Sequence, residues 1–233
     1  MYGRQTGMEL PVHRPAVHTR AAEAWSARST QIIILGLVLT AVVVLAQAIT
    51  QWIDFRFFDL RIRILDSGHH ASVFGAASLL AQAMAAGAIG LCGVLSRPRR
   101  YWLCVAALVG VLAAVRTLMR YEPMFVRYEI PILIAPLAVI LALLLYLTIT
   151  ETKAIRRAVW GALFLLSCSF ALHGVGPQTD GNNARLVWRT WAYQATGMVK
   201  HGAELAGWML LATGMAALSR ATINRARPSP SDG

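Results

Sequence analysis

Residues 29–53 read STQIIILGLVLTAVVVLAQAITQWI, a run without a single Asp, Glu, Lys or Arg. At about 1.5 Å of rise per residue, a helix of that length exceeds the roughly 30 Å of a bilayer's hydrocarbon core. It is also too long for the apolar centre of a cleaved leader. Working outward, the charge-free intervals 67–96, 130–150 and 158–179 meet the same requirement. Two shorter ones, 101–115 and 205–219, complete a crossing only by taking in a flanking charged turn, which puts Arg116 and Glu204 inside the membrane. The pattern predicts an all-α polytopic transmembrane bundle of six helices near 31–52, 72–96, 101–120, 131–150, 157–176 and 200–220. Residues 1–30 then form a basic cytoplasmic tail, 31–220 the membrane domain and 221–233 a disordered cytoplasmic tail. A seventh span, or a fourth helix broken near Pro131 and Pro136, is the alternative.

Composition agrees. Of 233 residues, 57% are hydrophobic and 14% charged, with a mean hydropathy of +0.54, which excludes an ordinary water-soluble domain. Lys and Arg outnumber Asp and Glu by 22 to 11. The excess lies between and beyond the apolar runs, where it meets lipid phosphate rather than a nucleic-acid groove. Nearly all of the basic residues are Arg and Ala is abundant, which points to a GC-rich bacterial genome and a cytoplasmic membrane. Arg4, Arg14, Arg20 and Arg28, the cluster Arg97, Arg99, Arg100, then Lys153, Arg156, Arg157 and finally Arg220, Arg225, Arg227 all fall on one side. They outnumber the basic residues of the other loops and place both termini in the cytoplasm. Trp52, Trp102 and Trp160 fall at span ends, as interfacial indoles prefer. Cys92, Cys104 and Cys168 lie in apolar runs, odd in number and without metal-type spacing, and read as small hydrophobes.

Two helices declare a packing preference. The fourth is apolar all round and reads as the most lipid-exposed. The second pairs Ala83 with Gly87 and Ala86 with Gly90 at i,i+4, the small-residue spacing that lets backbones approach in lipid, and so reads as central.

The candidate site is a polar layer. Measured from Arg100, Arg157 and Arg220 at the cytoplasmic ends, Arg116, His173 and Glu204 each stand about 24 Å up their helices. Gln82 stands at roughly 21 Å and Gln47 at about 28 Å by the same rise. Thr190, Gln194, Gly197, His201, Glu204 and Trp208 recur at steps of 3 or 4, so a sixth helix that starts before the membrane carries a polar stripe from outer water to Glu204. His201 and Glu204 share a face, as do Ser169 with His173 and Arg116 with Arg120. The cationic pair can hold Glu204 ionised or receive an anionic headgroup. The ligand-binding set is therefore Arg116, Arg120, His173, His201, Glu204 and Gln82. An ion pair that merely orders two helices is the competing reading of Arg116 and Glu204.

The outer loops add donors. DFRFFDLRIRILDSGHH (54–70) supplies Asp54, Asp59, Asp66, His69 and His70, with Phe55, Phe58, Ile62 and Leu65 spaced for an interfacial amphipathic turn; alternation over Leu60–Ile64 reads equally as strand. RYEPMFVRYE (120–129) offers Glu122 and Glu129. His173, His201, Glu204, Asp66 and His69 together make a set that Zn or another divalent metal accepts. No HExxH, GxSxG, haem-type histidine pairs or phosphate-binding glycine loop occurs.

FDL (58–60), DSGHHASVFG (66–75) and KHGAELAGW (200–208) resemble segments of a group of multi-pass bacterial membrane proteins with no assigned activity. In that group acidic residues often follow the first helix and stand near the start of the last, where this chain has His69, His70 and Glu204 beside His201. The resemblance implies a six-helix bundle and no reaction.

Three roles fit these residues. The first is a cavity in the outer leaflet that binds an ion, a metal or a small polar ligand, with a lipid headgroup among the candidates. The second is a membrane-embedded metal-dependent hydrolase or transferase acting on lipid. The third is a scaffold subunit packed against another membrane protein.

Overall fold

The fold is seen in a computed structural model, which describes residues 17–58, 62, 64, 72–95, 99–121, 129–175 and 190–226; side chains are described within 30–58, 62, 64, 72–95, 99–115, 137–172 and 190–223. Among the described residues the chain is all-helical and without strands. Its six helices are α1 (Val17–Phe57), α2 (Val73–Leu95), α3 (Arg99–Tyr121), α4 (Glu129–Thr148), α5 (Lys153–Val175) and α6 (Trp191–Ala226). α4 runs unbroken through Pro131 and Pro136. α1 is already helical at Val17 and α6 continues to Ala226; the rest of the two tails lies outside the described residues.

Local chemistry sets the helix ends. Ser72 Oγ accepts from Gly75 N–H at 3.0 Å, capping α2, and Thr190 Oγ1 accepts from Tyr193 N–H at 3.4 Å ahead of α6. At the other end of the bundle, Arg156 donates to the Ile149 carbonyl at 3.2 Å and lies over the Trp160 ring, while Trp160 Nε1 donates to Thr148 Oγ1 at 3.3 Å. These contacts tie the short α4–α5 turn to the first turns of α5.

α6 is the hub: it packs against α1, α2 and α5, with α3 outside α2 and α4 closing against α3 and α5. Small residues on several of its faces allow this. A Cβ on Gly207 would stand 2.7 Å from Leu166 Cγ and 3.1 Å from the Ala162 carbonyl of α5, and one on Gly214 3.0 Å from Val159 Cγ2. Gly202 faces Val44 and Gln47 of α1, and Gly36 of α1 sits hard against Thr213. The pairs also give direction. Gly36–Thr213 and Gln47–Gly202 make α1 antiparallel to α6, and Leu166–Gly207 and Val159–Gly214 do the same for α5. Ser78–Glu204 and Cys92–Ser219 make α2 parallel to α6. α1 therefore starts, and α6 ends, at the same end of the bundle.

Three helical segments are long and apolar enough to cross a membrane among the described residues, Thr30–Phe57, Val73–Leu95 and Lys153–Leu172, with Leu137–Thr148 a shorter apolar helix. α6 is not among them, because Gln194, Lys200, His201 and Glu204 lower its mean hydropathy.

Several packing expectations change. Among the described residues the helix with the greatest apolar exposure is α1, which presents Leu35, Val38, Val42, Leu45 and Ile49 outward, whereas α4 buries one face through Leu137, Ile140, Leu144 and Leu147. On α2, Ala83 and Gly87 face outward, with nothing within 4 Å of a Cβ at Gly87. The row that faces α6 is Ser78, Ala81, Gln82, Ala85, Ile89 and Cys92, set by the need to bury the helix's few polar groups. Trp102 is buried against Gly93 rather than interfacial, while Trp52 and Trp160 are exposed. Cys104 is exposed and Cys92 buried.

Candidate functional site

The buried face of α1 is inverted relative to a soluble helix. Ile33, Thr40, Gln47, Gln51 and Asp54 recur at steps of 7, 7, 4 and 3 and all are buried, while the long aliphatics point away from the bundle. A hydrocarbon solvent gives this outcome, because polar groups are driven inward to find one another. On α6 the opposing residues are Gln194, Gly197, His201, Gly202 and Glu204, and on α2 they are Ser78 and Gln82.

These residues form a polar seam along α6, where α1 and α2 each pack against it. Gln51 Nε2 donates to Gln194 Oε1 at 3.2 Å, beside Gly197, and the Phe55 and Trp191 rings close over the same end at 5.9 Å. Asp54 is fully buried, its Oδ1 accepting from Ile62 N–H at 3.1 Å and its Oδ2 unpartnered among the described residues. One turn deeper, Gln47 Oε1 lies 3.8 Å from the Cβ position of Gly202. Deeper again stands Glu204, 3% exposed, with Ser78 Oγ donating to its Oε1 at 3.5 Å and His201 Nδ1 4.0 Å from its Oε2. Gln82 follows one turn along α2 from Ser78, level with Trp208. From Gln194 to Trp208 the seam runs about 21 Å along α6.

Gln47 and Gln82 are each 1% exposed, and neither the oxygen nor the nitrogen of either amide has a hydrogen-bond partner among the described residues. A buried polar group without a partner costs about 1–3 kcal/mol, and here two complete amides are placed so, on two helices that each pack against α6. Hydrocarbon side chains would pack at these positions without that cost. Each amide therefore keeps donor and acceptor capacity that no described residue satisfies.

Of the residues singled out in the sequence, His201, Glu204 and Gln82 lie in this seam. The backbones of Arg116 and Arg120 are in α3 and that of His173 in α5, with side chains outside the described residues; Asp66 and His69 also lie outside them. α2 stands between α3 and α6, so the Arg116 backbone is one helix removed from Glu204. The antiparallel pairing of α5 brings His173 to the height of Lys200 and the buried Ser169 to the height of Glu204. Among the described residues no three His, Cys, Asp or Glu gather as a metal site requires.

Sequence reading missed Asp54 as a member of the seam, placing it in a loop, because α1 continues through Phe57. It also missed Gln51 and Ser78. The signal was present: Gln47, Gln51 and Asp54 are polar residues at helical spacing in or beside an otherwise apolar span. The chain matches no family model, no curated protein and no solved structure.

Proposed function

We propose that the chain is a multi-pass protein of a bacterial cytoplasmic membrane, with both termini cytoplasmic, whose polar seam binds an ion or a small polar ligand in a binding or transport role. The observation that carries this reading is the pair of buried amides of Gln47 and Gln82, unpartnered among the described residues, on two helices packed against the one that carries the buried Glu204. Ionisable and amide groups held inside a membrane bundle are costly, and they persist where a ligand or ion completes them. The seam occupies the end of the bundle remote from the start of α1 and the end of α6, which in the proposed orientation is the outer leaflet.

Native mass spectrometry with elemental analysis of the detergent-purified protein tests the reading. Wild type is expected to retain a small adduct or a stoichiometric element that Glu204→Gln lacks while keeping its helical circular dichroism. Identical spectra for the two proteins would remove the site. A stoichiometric metal in wild type that Glu204→Gln still holds would move the function to residues outside the seam.

A further inference from the structure

We infer that the start of α5 holds an anionic phospholipid, its phosphate on Lys153, Arg156 and Arg157 and an acyl chain along Trp160 and Phe164. The inference rests on α5 being long and apolar enough to cross a membrane from Lys153 to Leu172, and it is independent of the polar seam. Lys153 begins that segment, so the three cations stand at the depth of lipid phosphate and the rings just below, in the band that indoles prefer. The five side chains share one surface of the helix. Lys153 is three and four residues from Arg156 and Arg157, these are four and three from Trp160, and Trp160 is four from Phe164. From Arg156 to Phe164 the stripe descends about 12 Å.

The guanidinium is already held in place. Arg156 donates to the Ile149 carbonyl at 3.2 Å and lies 5.8 Å from the Trp160 ring centre. Trp160 is fixed in turn: its Nε1 donates at 3.3 Å to Thr148 Oγ1, and the fully buried Thr148 donates at 2.7 Å to the Leu144 carbonyl. A guanidinium carries several N–H donors, so the Ile149 contact leaves most of the fork for phosphate oxygens, which Arg binds bidentately. Little side-chain freedom remains to be lost, which lowers the cost of binding. Beside Trp160, a Cβ at Gly161 would meet nothing within 4 Å, and Phe164 is 67% exposed. The face below the cations is therefore open and apolar.

Charge selects the lipid. Among the described residues none of Lys153, Arg156 and Arg157 is ion-paired with a carboxylate. Three cations against Glu151 leave residues 149–160 with a net charge of +2. An anionic headgroup neutralises that charge, whereas a choline headgroup brings its own ammonium to the patch. Free phosphate would satisfy the cations and leave Trp160 and Phe164 uncovered, so the occupant that fits both halves of the surface is a lipid. Arg99 and Arg100 stand at the same end of the bundle, set there by the Gly93–Trp102 contact of α3 with α2, and are exposed. They carry no comparable tether among the described residues, which makes them the control.

Native mass spectrometry of the full chain in detergent tests this, with phosphatidylglycerol and phosphatidylcholine of matched acyl chains as the added lipids. Wild type is expected to bind phosphatidylglycerol about tenfold more tightly than phosphatidylcholine. Arg156→Gln combined with Arg157→Gln is expected to lose that preference. Arg99→Gln combined with Arg100→Gln removes the same charge at the same end of the bundle and is expected to keep the preference within about twofold. Trp160→Leu, which keeps every charge, is expected to weaken phosphatidylglycerol binding about fivefold, and it keeps the test decisive if the Arg156 and Arg157 variant loses its helical circular dichroism. Glycerol phosphate at millimolar concentration is expected to leave the bound lipid in place. Equal binding of the two lipids by wild type overturns the inference. So does an equal loss in the two double variants, which would mean diffuse attraction to any basic rim. Unchanged binding in Trp160→Leu, or displacement by glycerol phosphate, overturns it as well, because either shows that the apolar half of the surface holds nothing.

Discussion

Asp54 shows how one residue can be misplaced by its charge. An acidic residue just past a long apolar run looks like the first residue in water, yet it is fully buried in the last turn of α1. Its Oδ1 takes the Ile62 N–H as the chain leaves the helix. The two oxygens are separable by substitution. Asp54→Asn keeps an oxygen for Ile62 and should melt within about 1 °C of wild type. Asp54→Ala strands a backbone donor, costing about 1–3 kcal/mol, and should melt several degrees lower. Equal melting of the two variants would mean that the Ile62 contact contributes nothing. Glu204, by contrast, was legible as a residue held inside the bundle because it is an acidic residue in an apolar run, and the i,i+3 position of His201 followed from helical geometry alone.

At the level of elements, the sequence located the six helices within a few residues at most ends, because hydropathy and the length needed to cross a bilayer are properties of each segment taken singly. What it misjudged was which face of each helix turns inward. In hydrocarbon, small residues and apolar residues are both at ease facing lipid, so the Ala83–Gly87 pair carried no instruction that the Ser78–Gln82 row did not outweigh. The glycines that set the distance between α5 and α6 are on α6. Gly207→Ala forces a methyl into Leu166 and the Ala162 carbonyl, an overpacking cost of about 1–3 kcal/mol, while Gly87→Ala adds a methyl into open space and removes helix-destabilising glycine, gaining about 0.5–1 kcal/mol. Resistance to SDS-induced unfolding should therefore fall in Gly207→Ala and hold or rise in Gly87→Ala. The reverse order would show that α5 and α6 are not packed as closely as described.

On the scale of the whole molecule, strict alternation of the six helices puts the α4–α5 turn at the end where α1 starts and α6 finishes, and Phe58 at the other. In the proposed orientation, a membrane-impermeant maleimide applied to intact bacterial cells should label Phe58→Cys and should reach Thr152→Cys only after permeabilisation. Labelling of Thr152→Cys alone in intact cells would invert the topology. The six helices, their apolar character and the presence of Glu204 and His201 inside them were written in residue type and order, because transfer to hydrocarbon is paid segment by segment. The burial of Gln47, Gln82 and Glu204, with Ser78 brought to Glu204, was decided only by tertiary packing. Three helices distant in the chain had to select which faces to hide, and that selection depends on the glycines of α6 admitting α1 and α5 to close range, a relation between segments that no single segment encodes.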